Sequence, residues 1–115
     1  MAVPDGDPTY FADGDEFEVW LEQNHDAATD VWVGIYKKAS AKTGISLGEA
    51  QDRALRFGWV DSLERRVDDD SYKLRFTPRR PNSNWTDANV ERAEELRTQG
   101  LMHEAGIRAL ERRRT

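Results

Sequence analysis

A chain of 115 residues with 17 Lys and Arg against 22 Asp and Glu carries a formal charge of −5 and has room for one domain around one main core. There is no run of roughly 18 apolar residues to cross a membrane, and the absence of Cys excludes disulfides, thiolate catalysis and cysteine-based zinc sites. The opening stretch MAVPDGDPTYFADGDE has neither the basic nor the apolar region of a secretory leader, so a cytoplasmic location is expected.

Residues 1–12 are rich in Pro, Gly and Asp without periodicity and read as a flexible arm ahead of a single domain over 13–112. Asp13 and Glu16 have capping-box spacing, each side chain set to bond the other's free N–H. Phe17, Trp20, Leu21 and Asn24 then keep the i, i+3, i+4, i+7 rhythm of a helix. VWVGIYK (31–37) is a β run apolar on both faces, with Val31, Val33 and Ile35 on one and Trp32 and Tyr36 on the other, so both faces need cover. Gly34 inside it marks a place where a neighbour approaches closely. KKASAKTG is a loop, and Ser46 with Glu49 opens a second helix that ends at Phe57, with Gly58 in the left-handed C′ position.

Residues 59–67 and 71–77 form the arms of a hairpin around Asp68-Asp69-Asp70. In the second arm Tyr72, Leu74 and Phe76 face the core, and Lys73, Arg75 and Thr77 face away. Pro78 and Pro81 end that strand. Thr86 caps a third helix to about Gln99, with Trp85 placed to staple onto Val90, and Gly100 closes it. A last helix, about 103–112, presents Ile107 and Leu110 and pairs Glu104 with Arg108; His103 reads as a cap on its solvent side, and 113–115 as a frayed end. The element order gives the α+β class: a small domain with a largely antiparallel sheet, including a β-hairpin, packed against about four helices.

The charge is unevenly placed. Residues 1–70 hold 16 acidic and 7 basic side chains, whereas 71–115 hold 6 and 10. Thirteen cations are Arg and four are Lys, which favours bidentate pairing with carboxylates and phosphates. Asp5, Asp7, Thr9, Asp13 and Glu16 fall on a calcium-loop template, but Tyr10 occupies the glycine position and Pro8 sits inside the loop. Asp68-Asp69-Asp70 lacks alternating ligand spacing and reads as a polar turn. No metal site or cofactor is therefore expected. No nucleotide-binding glycine motif and no nucleophile motif is present. His25 follows the end of the first helix, where an imidazolium suits the dipole.

The richest chemistry lies between Phe57 and Asn89. Trp59 and Asp61 follow a helix end. Arg75 and Thr77 share one strand face, Arg79 and Arg80 lie just past its end, and Ser83, Asn84, Trp85 and Asn89 follow near a helix start. Guanidinium forks converging near free helix N–H groups suit an anion. Asp61 is the expected orienter of these arginines, and Trp59 and Trp85 the expected apolar walls. Arginine interleaved with aromatic rings also suits stacked bases, although the net negative charge opposes a polyanion.

FGWVD and RFTPRRPNSNW carry a resemblance as well. With YFADGDEFEVWLEQNH before them and HEAGIRALE after, the chain resembles the YdeI/OmpD-associated family of bacteriocin-protection proteins from about Tyr10 to Glu111. The resemblance implies a role in bacteriocin tolerance or envelope stress, with no defined reaction or cofactor. Its motif positions are Gly58, Trp59, Asp61, Arg75, Phe76, Thr77, Pro78, Arg79, Pro81, Trp85 and Asn89.

Residues and resemblance together predict a non-enzymatic binding or accessory protein, monomer or homodimer, that does not insert into membranes. Its candidate ligand is a small anion or peptide held by Trp59, Asp61, Arg75, Thr77, Arg79, Arg80, Trp85 and Asn89. The alternatives are a protein–protein interaction module or homodimer without a pocket, a nucleic-acid binder, and a hydrolase or transferase using Asp61 or His25 as general base.

Overall fold

A computed structural model describes residues 6–80 and 85–113. In chain order it contains α1 (Gly14–Asn24), β1 (Val31–Tyr36), α2 (Leu47–Arg56), β2 (Trp59–Arg66), β3 (Ser71–Pro78), α3 (Asp87–Thr98) and α4 (Glu104–Arg112). The three strands form one antiparallel sheet in the order β1-β3-β2, so the hairpin's second arm is central. This is the α+β arrangement of a three-stranded sheet and four helices.

Local chemistry accounts for the element ends. The Asp13 carboxylate accepts from Glu16 N–H, and Ser46 forms a full capping box with Glu49. Thr86 caps α3 through Asn89 N–H. Gly58 and Gly100 adopt φ of 76° and 74°, the left-handed region that glycine occupies without a Cβ penalty. One detail departs from the expected capping box at α1. Glu16 reaches past Asp13 to accept from Ala12 N–H at 3.4 Å, while Gly14 N–H goes to Glu49 of α2. A carboxylate from the neighbouring helix thus serves a free donor of α1.

Register fixes which side of the sheet each residue joins. Val31, Val33 and Ile35 pair with Phe76, Leu74 and Tyr72. Val33, Leu74 and Phe76 then join Phe17 and Leu21 of α1, Ala50 and Ala54 of α2, and Phe57 in the main core. Burying each large side chain there contributes about 1.5–3 kcal/mol. A smaller cluster of Leu55, Ala93, Leu96 and Leu110 lies where α2, α3 and α4 meet, with Trp85, Val90 and Met102 packed against it. The length-based expectation of one core needs this satellite added.

The expected flexible arm is corrected over its described part, residues 6–12. Thr9 forms a parallel bridge to Val33, with Thr9 N–H bonded to Trp32 O at 2.8 Å and Gly34 N–H to Thr9 O at 2.9 Å. Phe11 enters the main core, and its carbonyl accepts from Ile45 N–H at 2.9 Å. Tyr10 stacks on Tyr36 at 4.7 Å and its hydroxyl meets Ser71 Oγ at 2.9 Å. The segment is a strap hydrogen-bonded along the edge of β1, and its Tyr10 and Gly6 supply cover for Tyr36 and Trp32 on the outer face. A Cβ on Gly34 would lie 2.4 Å from the Tyr10 ring, so the close neighbour expected at that glycine is Tyr10.

Candidate functional site

The eight sequence-predicted site residues do not gather in one place. In β2 and β3 Val60 pairs with Thr77, and Asp61 pairs with Phe76. Directly opposed residues share a face, so Asp61 lies on the helix side with Phe76, whereas Thr77 and Arg75 lie on the outer side. The register shifts between Asp61 and Leu63, which places Leu63 opposite Arg75. The sheet itself divides the candidates.

On the outer side, Arg75, Thr77, Arg79 and Arg80 line a cleft of about 520 Å³ together with Thr29 and Ser62. Asp61 is not the partner of Arg75. Arg75 Nε donates to Asp30 at 2.8 Å, both side chains being largely buried. Asp30 stands at the entry to β1, and its pairing with Arg75 depends on the β1–β3 register, which no local motif announces. Next to this cleft Lys73 is buried: Nζ donates to Gly6 O at 2.6 Å and sits 4.7 Å above the Trp32 ring. Lys73 does face away from the core as expected, yet the strap removes it from solvent.

On the helix side, Trp59, Asp61, Asn89 and Arg79 line a narrower crevice of about 210 Å³ with Gln51. Trp59 is not the open wall that the sequence implied. It is 2% exposed and meets Trp20 edge-on at 5.9 Å, as a core residue. Arg79 joins both spaces. It is 6% exposed, its backbone N–H bonds Gly58 O at 2.8 Å, and its guanidinium lies 4.2 Å from the centre of the Trp85 ring. Burial pushes the Arg79 pKa down and the Asp61 charge opposes that shift. Asp61 therefore acts on Arg79, not on Arg75. Trp85 is half-buried, and its role is to stack on that guanidinium.

Other candidates resolve into structural roles. His25 Nδ1 donates to Leu21 O at 2.8 Å at the end of α1. His103 Nδ1 accepts from Ala105 N–H at 3.0 Å, capping α4, but it is half-buried and stacked 4.6 Å from Phe57 instead of facing solvent. Burial, and then the neighbouring His25, hold its pKa below the usual histidine value. Asp68 accepts from Asp70 and Ser71 N–H at 2.9 Å, which makes the Asp run a hydrogen-bonded turn. Of the calcium-loop positions, Asp13 caps α1 and Thr9 pairs with β1, while Asp5 lies outside the described residues. Pro81, Ser83, Asn84 and Arg114 also lie outside them. The outer-face rings of β1 do not form an exposed stacking platform: Trp32 is buried and Tyr36 is stacked on Tyr10. No helix among the described residues is long and apolar enough to cross a membrane.

The arrangement is that of a small α+β domain with an arginine- and hydroxyl-lined cleft on the less covered side of its sheet. By sequence the chain belongs to the family described as a domain of unknown function, DUF8412, whose model matches residues 9–109. The match takes in the strap from Thr9 onward as well as every strand. No curated protein and no solved structure matches the chain.

Proposed function

We propose that the protein is a non-enzymatic binding or accessory protein whose outer cleft takes a small organic anion or the carboxylates of a short acidic peptide. The observation that carries this reading is the lining of one open cleft by Arg75, Arg79 and Arg80 with the hydroxyls of Thr29, Ser62 and Thr77. Guanidinium forks match carboxylate geometry, and hydroxyl donors add orientation at little electrostatic cost. Asp30 holds Arg75 by its Nε, which fixes the direction of that fork. The reading departs from the sequence-based site in its members. Arg75, Thr77, Arg79 and Arg80 remain, while Trp59, Asp61 and Asn89 belong to the other side of the sheet. The role in bacteriocin tolerance or envelope stress implied by the YdeI/OmpD-associated resemblance stays attached to this reading as a proposal.

The test is calorimetry and thermal unfolding with citrate, other di- and tricarboxylates and an Asp/Glu pentapeptide at fixed ionic strength. Arg80→Ala is the variant of choice because Arg80 is exposed and its loss leaves the core intact. Binding by the wild type that falls at least tenfold in Arg80→Ala supports the site. Equal binding by both proteins, or none by the wild type, contradicts it.

A further inference from the structure

The end of the sheet meets α4 across a second basic space, separate from the outer cleft. Two glycines set the position of α4. A Cβ on Gly58 would lie 2.6 Å from the Ala109 Cβ, and one on Gly106 would lie 2.1 Å from the Arg56 carbonyl oxygen. Contacts this close, made without intervening side chains, hold α4 firmly against the end of α2 and the start of β2. His103 N–H adds a hydrogen bond to Arg56 O at 3.0 Å.

Beside that contact lies a crevice of about 150 Å³ with Trp59 and Ala109 in its floor. That is about five times the ~30 Å³ share of one water molecule, room enough for a small ion. His25, Arg79, Arg108 and Arg112 stand around it, and no Asp or Glu is among its described lining residues. Arg108 and Arg112 are four residues apart on α4, a spacing at which like charges destabilise a helix. Arg108 pairs with Glu104 at 3.9 Å, but the Glu104 side chain is 88% exposed, and such a pair is weakened by water and salt. Three arginines and a histidine around a floor of packed apolar residues make a setting for an oxyanion, whose several oxygens can accept from more than one guanidinium fork.

We propose that this crevice binds a small tetrahedral oxyanion, either inorganic phosphate or the phosphate head of a monoester, and that the bound ion ties α4 to the end of β3. The site shares Pro78 and Arg79 with the outer cleft but otherwise draws on different residues. It does not depend on the organic-anion reading.

Thermal unfolding is measured with inorganic phosphate, with glycerol 3-phosphate and with sodium chloride at matched ionic strength. Phosphate at ten times its Kd raises Tm by about 5 °C or more in the wild type, and chloride does not. A shift with glycerol 3-phosphate as well supports a monoester, and a shift with phosphate alone supports the free ion. The double variant Arg108→Gln/Arg112→Gln loses the shift, whereas Arg80→Ala keeps it. Should the double variant unfold, Arg112→Gln alone weakens phosphate binding at least threefold. An equal shift with chloride overturns the proposal, as does full retention in the Gln variants. Loss of the shift in Arg80→Ala would assign phosphate to the outer cleft instead.

Discussion

On one side of the sheet, Val33, Leu74 and Phe76 meet helices and are nearly sealed from water; on the other, Trp32, Lys73 and Arg75 meet a strap, an aspartate and an open cleft. The helix side is held by non-directional apolar burial spread over many contacts. The outer side is held by a few directional ones: Tyr10 on Tyr36, Lys73 on Gly6 and Arg75 on Asp30. Polar groups that reach partly into solvent can exchange a partner for a ligand, whereas sealed side chains such as Val33 and Phe76 offer none to exchange.

The largest loss of stability is expected on the helix side. Phe76→Ala, at a fully buried ring facing Phe17 at 5.6 Å, is expected to cost about 3–5 kcal/mol by urea denaturation. Gly34→Ala tests the outer side. Its methyl group would displace Tyr10, and a loss of about 1–3 kcal/mol is expected, with faster hydrogen exchange at Thr9 and Gly34. Unchanged exchange there would mean that the strap does not depend on Tyr10.

Asp52 sets a smaller effect away from both sheet faces. It receives Arg92 Nε at 2.7 Å and Arg56 at 3.3 Å, joining α2 to α3. Burial opposes its ionisation, but the hydrogen bonds and charges of Arg92 and Arg56 outweigh burial and lower its pKa. A depressed carboxylate pKa stabilises the fold above its unfolded value, and that contribution is lost as pH falls through the folded value. Asp52→Asn is expected to cost about 1 kcal/mol at pH 7 and to flatten the acid limb of the stability curve.

The smallest effect concerns His103. Its lowered pKa means that the unfolded chain binds the proton more readily. Stability is therefore full above the ordinary histidine pKa and declines as pH falls below it. Protonation also removes the Nδ1 acceptor that caps α4. His103→Asn retains a capping oxygen and should remove this slope between about pH 7 and 5. An unchanged slope would place its origin elsewhere.

What was legible in the sequence is what depends on near neighbours. Asp13, Ser46, Gly58, Thr86 and Gly100 mark helix ends through groups within a few residues, and alternation along 71–77 separates Phe76 from Arg75 correctly. Three features depend on pairing between distant segments and could not be read that way. Asp30 reaches Arg75 only because β1 pairs with β3, and Lys73 is buried only because the strap crosses it. Asp61 and Arg75 fall on opposite sides of the sheet through register. One signal was present for the strap. Trp32, Gly34 and Tyr36 required cover, and Tyr10 and Phe11 were the aromatic residues left in the supposed arm. The family's extent from residue 9 agrees with counting that segment as part of the domain.

Nuclear magnetic resonance with citrate titrated at constant ionic strength tests most directly the proposal that the outer cleft takes an organic anion. Backbone amide shifts are predicted to cluster at Ala28, Thr29, Ser62, Arg75 and Thr77, on the strands and loop that border the cleft. Shifts clustered on the helix side around Gln51, Asp61 and Asn89, or spread evenly over the surface, would contradict it.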